Sequence, residues 1–332
     1  MDFRLSDDHR MLQDSLRGIL SRHSGEGIWP ALADLGVPDA VLTDAEGGYD
    51  GTGQAVVLVL QELGRAAIAP RPVADMIGAA LMARAGQPVR AGARMGFADA
   101  EPGTRFDRGV SIRAEDDRLS GIKTMAAWGN DLDALMVTTH DAVWHVALDA
   151  PGLNARPCRL LDGRMGADLL FEGVPATRLC NLSDAVPVFA RATLAHAAHA
   201  LGLIETAFEL TLDYLRTRQQ FGQPLFAFQA LAHRCADMAV EIEQARSAVI
   251  NLAGHMEAAD GPRDRFLQAC KVTVGHAARL VAEESLQLHG GIGMTEEYAL
   301  GGLVRQLLAA DTAFGDADWH LERFARAEPA FT

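Results

Sequence analysis

Two short stretches of the chain carry the residues best suited to holding a ligand. The first is Arg218-Gln-Gln-Phe221-Gly222-Gln-Pro224-Leu-Phe-Ala-Phe228-Gln229, and the second is Gln287-Leu-His-Gly290-Gly291-Ile-Gly293. An arginine grips a pyrophosphate through two parallel, charge-assisted hydrogen bonds. Paired glycines let backbone come close to a flat or charged ligand, because no Cβ intervenes. Taken alone, Arg218 suits a helix C-terminus, where a cation complements the dipole and Gly222 serves as the cap. Taken with the second stretch, it points to a dinucleotide held by a helical scaffold. No Gly-x-Gly-x-x-Gly follows a strand pattern and no Gly-x-x-x-x-Gly-Lys-Ser/Thr occurs, so the Rossmann and P-loop modes are excluded.

The elements that must position these stretches divide the chain into three segments. Residues 1–91 read as an N-terminal helical domain broken by glycine turns. Leu5, Leu12, Leu16 and Ile19 recur at helical spacing, and Ser6 before Asp7 and Asp8 marks a helix start. The apolar run Val56–Leu60 alone suits a strand, but its continuation through Glu62 to Ala67 predicts a helix. Another is predicted over Ala74–Ala85, ending before Gly86.

Residues 92–182 read as a middle β domain, a small barrel or sandwich. Strands are predicted at Gly109–Arg113, Ala134–Thr139 and Val143–Leu148, with Asp141-Ala142 as a hairpin turn. Residues 183–332 read as a C-terminal four-helix bundle. Leu231, Cys235, Met238, Ile242, Ala245, Val249, Leu252 and Met256 form a heptad-like seam. Phe266, Cys270, Thr273, Ala277 and Leu280 continue it on a helix beginning near Asp264 and ending at Gly290. Thr295, Glu296 and Glu297 read as the cap and first-turn acids of the next helix. The fold class is therefore mostly α with a central β domain.

Composition narrows the partners. The chain has 332 residues, 49% hydrophobic and 22% charged, with a net charge of −14. That charge repels nucleic acid and anionic membranes, so neither is expected as a partner. Cys158, Cys180, Cys235 and Cys270 are scattered, without a Cys-x-x-Cys or a His pair at ligand spacing. Buried thiols in a reducing, cytoplasmic setting are expected, and no metal site. Met1-Asp-Phe-Arg-Leu-Ser-Asp-Asp lacks the basic and apolar regions of a signal peptide. No apolar run has the ~18 residues of a membrane span.

The two stretches resemble the acyl-CoA dehydrogenase family of flavoproteins. There, an Arg-x-x-Phe-Gly segment with a following Gln, and a later Gln-x-x-Gly-Gly segment, grip the adenosine diphosphate half of FAD. The resemblance extends to Trp29–Gly36, Glu46-Gly-Gly48-Tyr-Asp-Gly51, Glu62-Leu-Gly64-Arg65 with Pro70, and Gly291–Tyr298 with Arg305. It implies FAD as cofactor, with Arg218, Phe221, Gln229, Gln287, Gly290 and Gly291 as its binding residues. It also implies α,β-dehydrogenation of an acyl-CoA thioester, an electron-transfer flavoprotein as electron acceptor, and at least a dimer, since flavin contacts cross a subunit interface.

The resemblance weakens where the chemistry would occur. The family's base is a glutamate about nine residues after the arginine matched by Arg305, where this chain has Phe314 before Gly315. Some members place it instead ten residues before the glycine matched by Gly202, where this chain has Ala192. Asp311 and Asp316 are the nearest carboxylates, and both suit solvated loop acids better. The family's Thr-Glu-Pro-x-x-Gly-Ser-Asp survives as Ala100-Glu101-Pro102-Gly103-Thr104, and its Trp-x-Thr as Met125-Ala126-Ala127, with Trp128 displaced.

This split resembles the short, base-lacking partner subunits of heteromeric bacterial steroid-side-chain acyl-CoA dehydrogenases. His196 and His199 are either unusual lining residues there or satisfied core histidines. Three functions follow: a dehydrogenase subunit needing a base-carrying partner, a homodimeric or homotetrameric dehydrogenase with a displaced acid, and a non-catalytic structural or regulatory member.

Overall fold

A computed structural model of the chain describes residues 5–23, 27–88, 93–106, 108–129 and 132–327. The expected boundary at 91/92, the first residues Met1–Arg4 and the last residues from 328 lie outside the described residues. The element order is α1 (Asp7–Arg22), α2 (Ile28–Asp34), α3 (Val37–Ala40), α4 (Gly53–Arg65) and α5 (Pro72–Arg84), then eight strands. These are β1 (Met95–Ala98), β2 (Arg113–Glu115), β3 (Arg118–Ala127), β4 (Ala134–Thr138), β5 (Ala142–Ala147), β6 (Leu153–Arg159), β7 (Met165–Pro175) and β8 (Thr177–Asn181). The long helix α6 (Leu182–Thr217) follows, then the short pair β9 (Gln219–Gln220) and β10 (Gln223–Pro224). Helices α7 (Gln229–Gly254), α8 (Asp260–His289), α9 (Ala299–Thr312) and α10 (Ala317–Arg326) complete the chain. Among the described residues, no helix is long and apolar enough to cross a membrane, and no cluster could hold a metal ion.

The chain divides into two compact units, one formed by Met1–Ile28, Gly53–Pro70 and Thr193–Thr332, the other by Trp29–Thr52 and Arg71–Ala192. In the first unit, Ser6 caps α1 by accepting from the His9 N–H at 3.1 Å. Arg17 and Gln13 of α1 both bond the buried Glu62 of α4, at 2.7 Å each. Glycines set the crossing of α4 and α6: a Cβ on Gly64 would lie 2.1 Å from the His199 carbonyl, and one on Gly202 2.1 Å from that of Gln61. Beside the crossing, buried Glu205 accepts from Gln61, Arg65 and Arg246 at 3.0, 2.6 and 2.7 Å. Gly202→Ala must therefore push the helices apart, with an expected cost of about 1–3 kcal/mol as overpacking. An unchanged urea midpoint in that variant would show that the crossing yields freely.

The seam on α7 buries Cys235, Met238, Ile242, Ala245, Val249 and Leu252, whereas at its expected ends Leu231 is only partly covered and Met256 lies beyond the helix end at Gly254. On α8 the seam lies off the expected register. Leu267, Cys270, Val274, Ala277 and Val281 are buried, whereas Phe266, Thr273 and Leu280 are only partly covered. Contacts from α7, α9 and α10 all fall on α8, so its buried face is wider than a two-helix seam. The helix also starts at Asp260 rather than Asp264, because Pro262 fits a first turn, where its missing N–H costs nothing. Cys270 is fully buried, which pushes its thiol up to about 12.

The second unit holds two four-stranded sheets, ordered β1-β4-β5-β8 and β2-β3-β7-β6. All pairs within them are antiparallel except β1 with β4. Leu119, Leu135, Val137, Trp144, Val146, Leu169 and Phe171 fill one core between them, giving a sandwich. Two expectations are corrected. The turn between β4 and β5 is Thr139-His140-Asp141, closed by Thr139 N–H to the Ala142 carbonyl at 2.9 Å, and Ala142 belongs to β5. The strand expected at Gly109–Arg113 begins only at Arg113. The N–H groups of Gly109, Val110 and Ser111 are taken instead by the Glu101 carboxylate, so no neighbouring strand receives them.

Candidate functional site

Arg218 follows directly on α6, and its N–H still donates to the Tyr214 carbonyl at 2.8 Å. Next comes a hairpin. Gln219 and Gln220 pair with Pro224 and Gln223, and the two residues between are Phe221 at φ +54° and Gly222 at φ +79°. Left-handed backbone at both central positions is the type I′ hairpin turn. Gly222 therefore turns a hairpin and is not the helix cap that the sequence suggests. The Leu225 N–H returns to the Arg218 carbonyl at 2.9 Å and closes the loop. Arg218 uses its backbone for this, and its side chain stays exposed. Phe221 is 91% exposed, with its ring edge-on to Phe228. Gln229 opens α7 and is exposed.

The second stretch ends α8. Gln287 is exposed on the last turn, and Gly290 leaves the helix at φ +64° into a 3-10 turn over Gly290–Met294. A Cβ at Gly290 or Gly291 would meet nothing within 4 Å, so bare backbone faces open space. Thr295 does not cap the next helix. Its hydroxyl donates to the Ile292 carbonyl at 3.0 Å, and α9 starts only at Ala299 after Tyr298.

The ends of α6 and α8 and the start of α7 come together. Tyr214 stacks on His289 with centroids 4.4 Å apart, and Arg234 bonds Glu284 at 2.5 Å. Arg218, Phe221, Gln229, Gln287, Gly290 and Gly291 thus share one end of the bundle, all exposed. A guanidinium, two primary amides, an aromatic face and bare backbone are a donor set that fits the diphosphate and adenine of a dinucleotide.

The segment bearing Phe314 is pinned from below. The buried Lys271 ammonium donates to the Asp311 and Ala313 carbonyls at 3.0 and 2.9 Å. Burial pushes Lys271 down to about 8, against the pull of the Asp311 carboxylate. His320 donates to the Phe314 carbonyl at 3.0 Å while Gln268 engages its other ring nitrogen. Burial, with Lys271 adding repulsion, pushes His320 down to about 3. Phe314 is held at φ +57° and Gly315 at φ +108°, and the Phe314 ring meets His196 at 5.4 Å.

Asp316 caps α10 by accepting from the Trp319 N–H at 2.8 Å, and Asp311 accepts from the Ala317 N–H at 3.3 Å. His199 is buried and bonds the Ile68 carbonyl at 2.7 Å. Ala192 is buried on α6. Lys271 and His320 escape a reading by motif, since their partners are mostly backbone carbonyls. The one signal is a lysine beside Cys270 within an apolar seam.

In the β unit, Glu101 is the member of the Ala100–Thr104 stretch with a defined task. Its carboxylate, buried, receives the Lys123 ammonium at 2.7 Å and the N–H groups of Gly109 and Val110 at 2.7 and 2.8 Å. Lys123 also donates to the Asp99 carbonyl and to the Thr138 hydroxyl. Met125 sits at a bulge in β3 with φ +53° and is exposed. Met125, Ala126 and Ala127 present no side-chain hydrogen-bond donor.

The family model for the C-terminal domain of acyl-CoA dehydrogenases matches residues 184–328. The acyl-CoA dehydrogenase IpdE2 of Mycobacterium tuberculosis is 26% identical over 310 residues, covering 88% of each chain. The Tcur3481–Tcur3483 steroid ACAD G363A variant superposes with a TM-score of 0.87 at 26% identity, over 96% of this chain and 97% of that one. The ChsE4–ChsE5 complex of M. tuberculosis shares the fold at a TM-score of 0.87 and 23% identity, over 99% of this chain and 100% of its own. The chain is thus similar to acyl-CoA dehydrogenases along most of its length, and residues 184–328 match that family's C-terminal domain.

Proposed function

We propose that the chain is a flavin-binding subunit of an acyl-CoA dehydrogenase that works beside a homologous, base-carrying subunit. The observation that carries this reading is a contrast. The set at the bundle end is complete and exposed, while Phe314 and Ala192 stand where a carboxylate is needed. Arg218 would hold the FAD diphosphate, Gln229 and Gln287 would bond the adenosine half, and Gly290-Gly291 would lie against it. Phe221 would cover an aromatic face. FAD, when bound, supplies the acceptor for the hydride leaving the β-carbon of the acyl thioester.

The α-proton needs a base in a dry pocket, where desolvation raises a carboxylate towards working pH. In this reading it comes from the partner subunit, and electrons leave to an electron-transfer flavoprotein. The two-component names of Tcur3481–Tcur3483 and ChsE4–ChsE5 support hetero-oligomeric assembly over a homodimer or homotetramer. The steroid ACAD supports a bulky acyl-CoA substrate. The segments 1–91, 92–182 and 183–332 serve as the three domains of that subunit, and the four free thiols suit a cytoplasmic setting.

Arg218→Ala tests the cofactor half. Loss of a bidentate contact to a charged group costs about 1.5–3 kcal/mol, so flavin should dissociate on gel filtration while the melting temperature of the apoprotein is kept. Undiminished flavin content would remove Arg218 from the site. The visible spectrum tests the assembly. Flavin gained only with a co-expressed homologue supports the reading, and yellow protein bleached by acyl-CoA from the chain alone refutes it.

A further inference from the structure

The Gly290-Gly291-Ile292-Gly293 turn has little intrinsic stiffness, since glycine backbone samples both signs of φ freely. Something outside the turn must set its shape. The structure puts one imidazole there. His289 is buried at the last position of α8, stacked on Tyr214 at 22° between the ring planes. Its Nδ1–H donates to the Ser285 carbonyl at 2.8 Å, which fixes the tautomer and leaves Nε2 as an acceptor. The Tyr298 hydroxyl lies 3.2 Å from that Nε2 and donates to it. Tyr298 is the residue just before α9, so this one bond spans the entire turn. A Cβ on Gly293 would lie 3.0 Å from the His289 Cβ, so the turn packs directly on the same residue. The main-chain carbonyl of Tyr214, at the end of α6, accepts the Arg218 backbone N–H at 2.8 Å, so the stacked ring fixes the helix end from which Arg218 departs.

We propose that His289, with Tyr214 and Tyr298, is a positioning residue that locks the Gly290-Gly291 turn and Arg218 into one geometry for the cofactor diphosphate. This rests on the flavin reading above. The imidazole touches no cofactor atom and acts through what it holds: Arg218 by way of Tyr214, and the glycine turn by way of Tyr298. Neutral imidazole is the form that accepts from Tyr298, and burial keeps His289 below its ordinary pKa.

The test is a titration of full-length apoprotein with FAD, followed by flavin fluorescence, in whichever assembly retains flavin. Tyr298→Phe keeps the ring and removes the hydroxyl, His289→Ala removes the lock, and His289→Gln restores an acceptor. Tyr298→Phe should weaken FAD binding about five- to tenfold, the size of one lost neutral hydrogen bond. In the His289→Ala background, the same change should add nothing, because the bond is already gone. His289→Gln should recover part of the loss, whereas a purely structural residue would move the melting temperature and leave FAD affinity alone. Wild-type FAD affinity in all three variants would overturn the lock and leave the flavin reading standing. No FAD binding by the wild type, alone or with a homologous subunit, would overturn both.

Discussion

Glu101→Ala is expected to destabilise the β unit by about 3–5 kcal/mol, the cost of stripping one partner from a buried ion pair. Both side chains of the Glu101–Lys123 pair are 0% exposed, so neither charge has water to fall back on. The substitution leaves the ammonium hydrogen-bonded to the Asp99 carbonyl and the Thr138 hydroxyl, with the partly exposed Asp99 carboxylate as its remaining opposite charge. It also leaves the N–H groups of Gly109, Val110 and Ser111 without their acceptor, and a buried unpaired donor is costly in itself. Glu101→Gln should fall between, since an amide oxygen still accepts from part of that set. Equilibrium unfolding in urea measures both, and a loss below about 1 kcal/mol for the alanine variant would contradict the argument.

The pair also sets a pH dependence. Burial alone pushes the Glu101 carboxyl up, but the Lys123 bond and then the Ser111 and Gly109 N–H groups outweigh it and hold it below the usual carboxylate range. A carboxylate depressed in the folded state contributes stability that is present above its unfolded value, about 4.3. That contribution is lost as the pH falls through the lower folded value. The stability gap between wild type and Glu101→Ala should therefore be full at neutral pH and shrink in acid.

Glu101 also marks how far the sequence could be read. Its position was legible from the Glu-Pro-Gly stretch, but its occupation was not. Three of its partners are backbone N–H groups, and its counter-ion lies in a strand whose pattern shows only alternation. The helical framework was legible because burial repeats along each helix, as the α7 seam does from Cys235 to Leu252. The offset on α8 was not, since a helix packed on several sides has no single stripe. Gly222 and Thr295 were misplaced for a related reason. Glycine before proline and threonine before acids are cap signals in isolation, yet here neighbouring chain fixes the backbone first, by hairpin pairing at Gly222 and by a 3-10 turn at Thr295. In the candidate site, the exposed donor set was visible because it consists of particular side chains named by the two motifs. Lys271, His289 and His320 were not, because they work on carbonyls and rings that any sequence supplies.

Acyl-CoA oxidation by the purified chain alone should fall about 10²–10⁴-fold below that of an assembly containing a base-carrying homologue, the usual contribution of a general base. Phe314→Glu tests whether a missing carboxylate is the whole deficit, and only a small gain is expected from it. The turn at Phe314 is fixed in the left-handed region by Lys271 and His320, so the new side chain would start where the phenyl ring now meets His196. Met125-Ala126-Ala127 of the β unit, which the substitution leaves unchanged, carries no side-chain hydrogen-bond donor. An artificial electron acceptor gives the rate directly, independent of the physiological one. Turnover by the single wild-type chain within tenfold of the assembly would overturn the argument and send the search to Asp311 and Asp316. Either would then have to leave a bond it now makes, Asp316 the α10 cap and Asp311 the Ala317 N–H. The melting temperature of Asp316→Asn and Asp311→Asn variants, set beside their rates, would separate a catalytic carboxylate from a structural one.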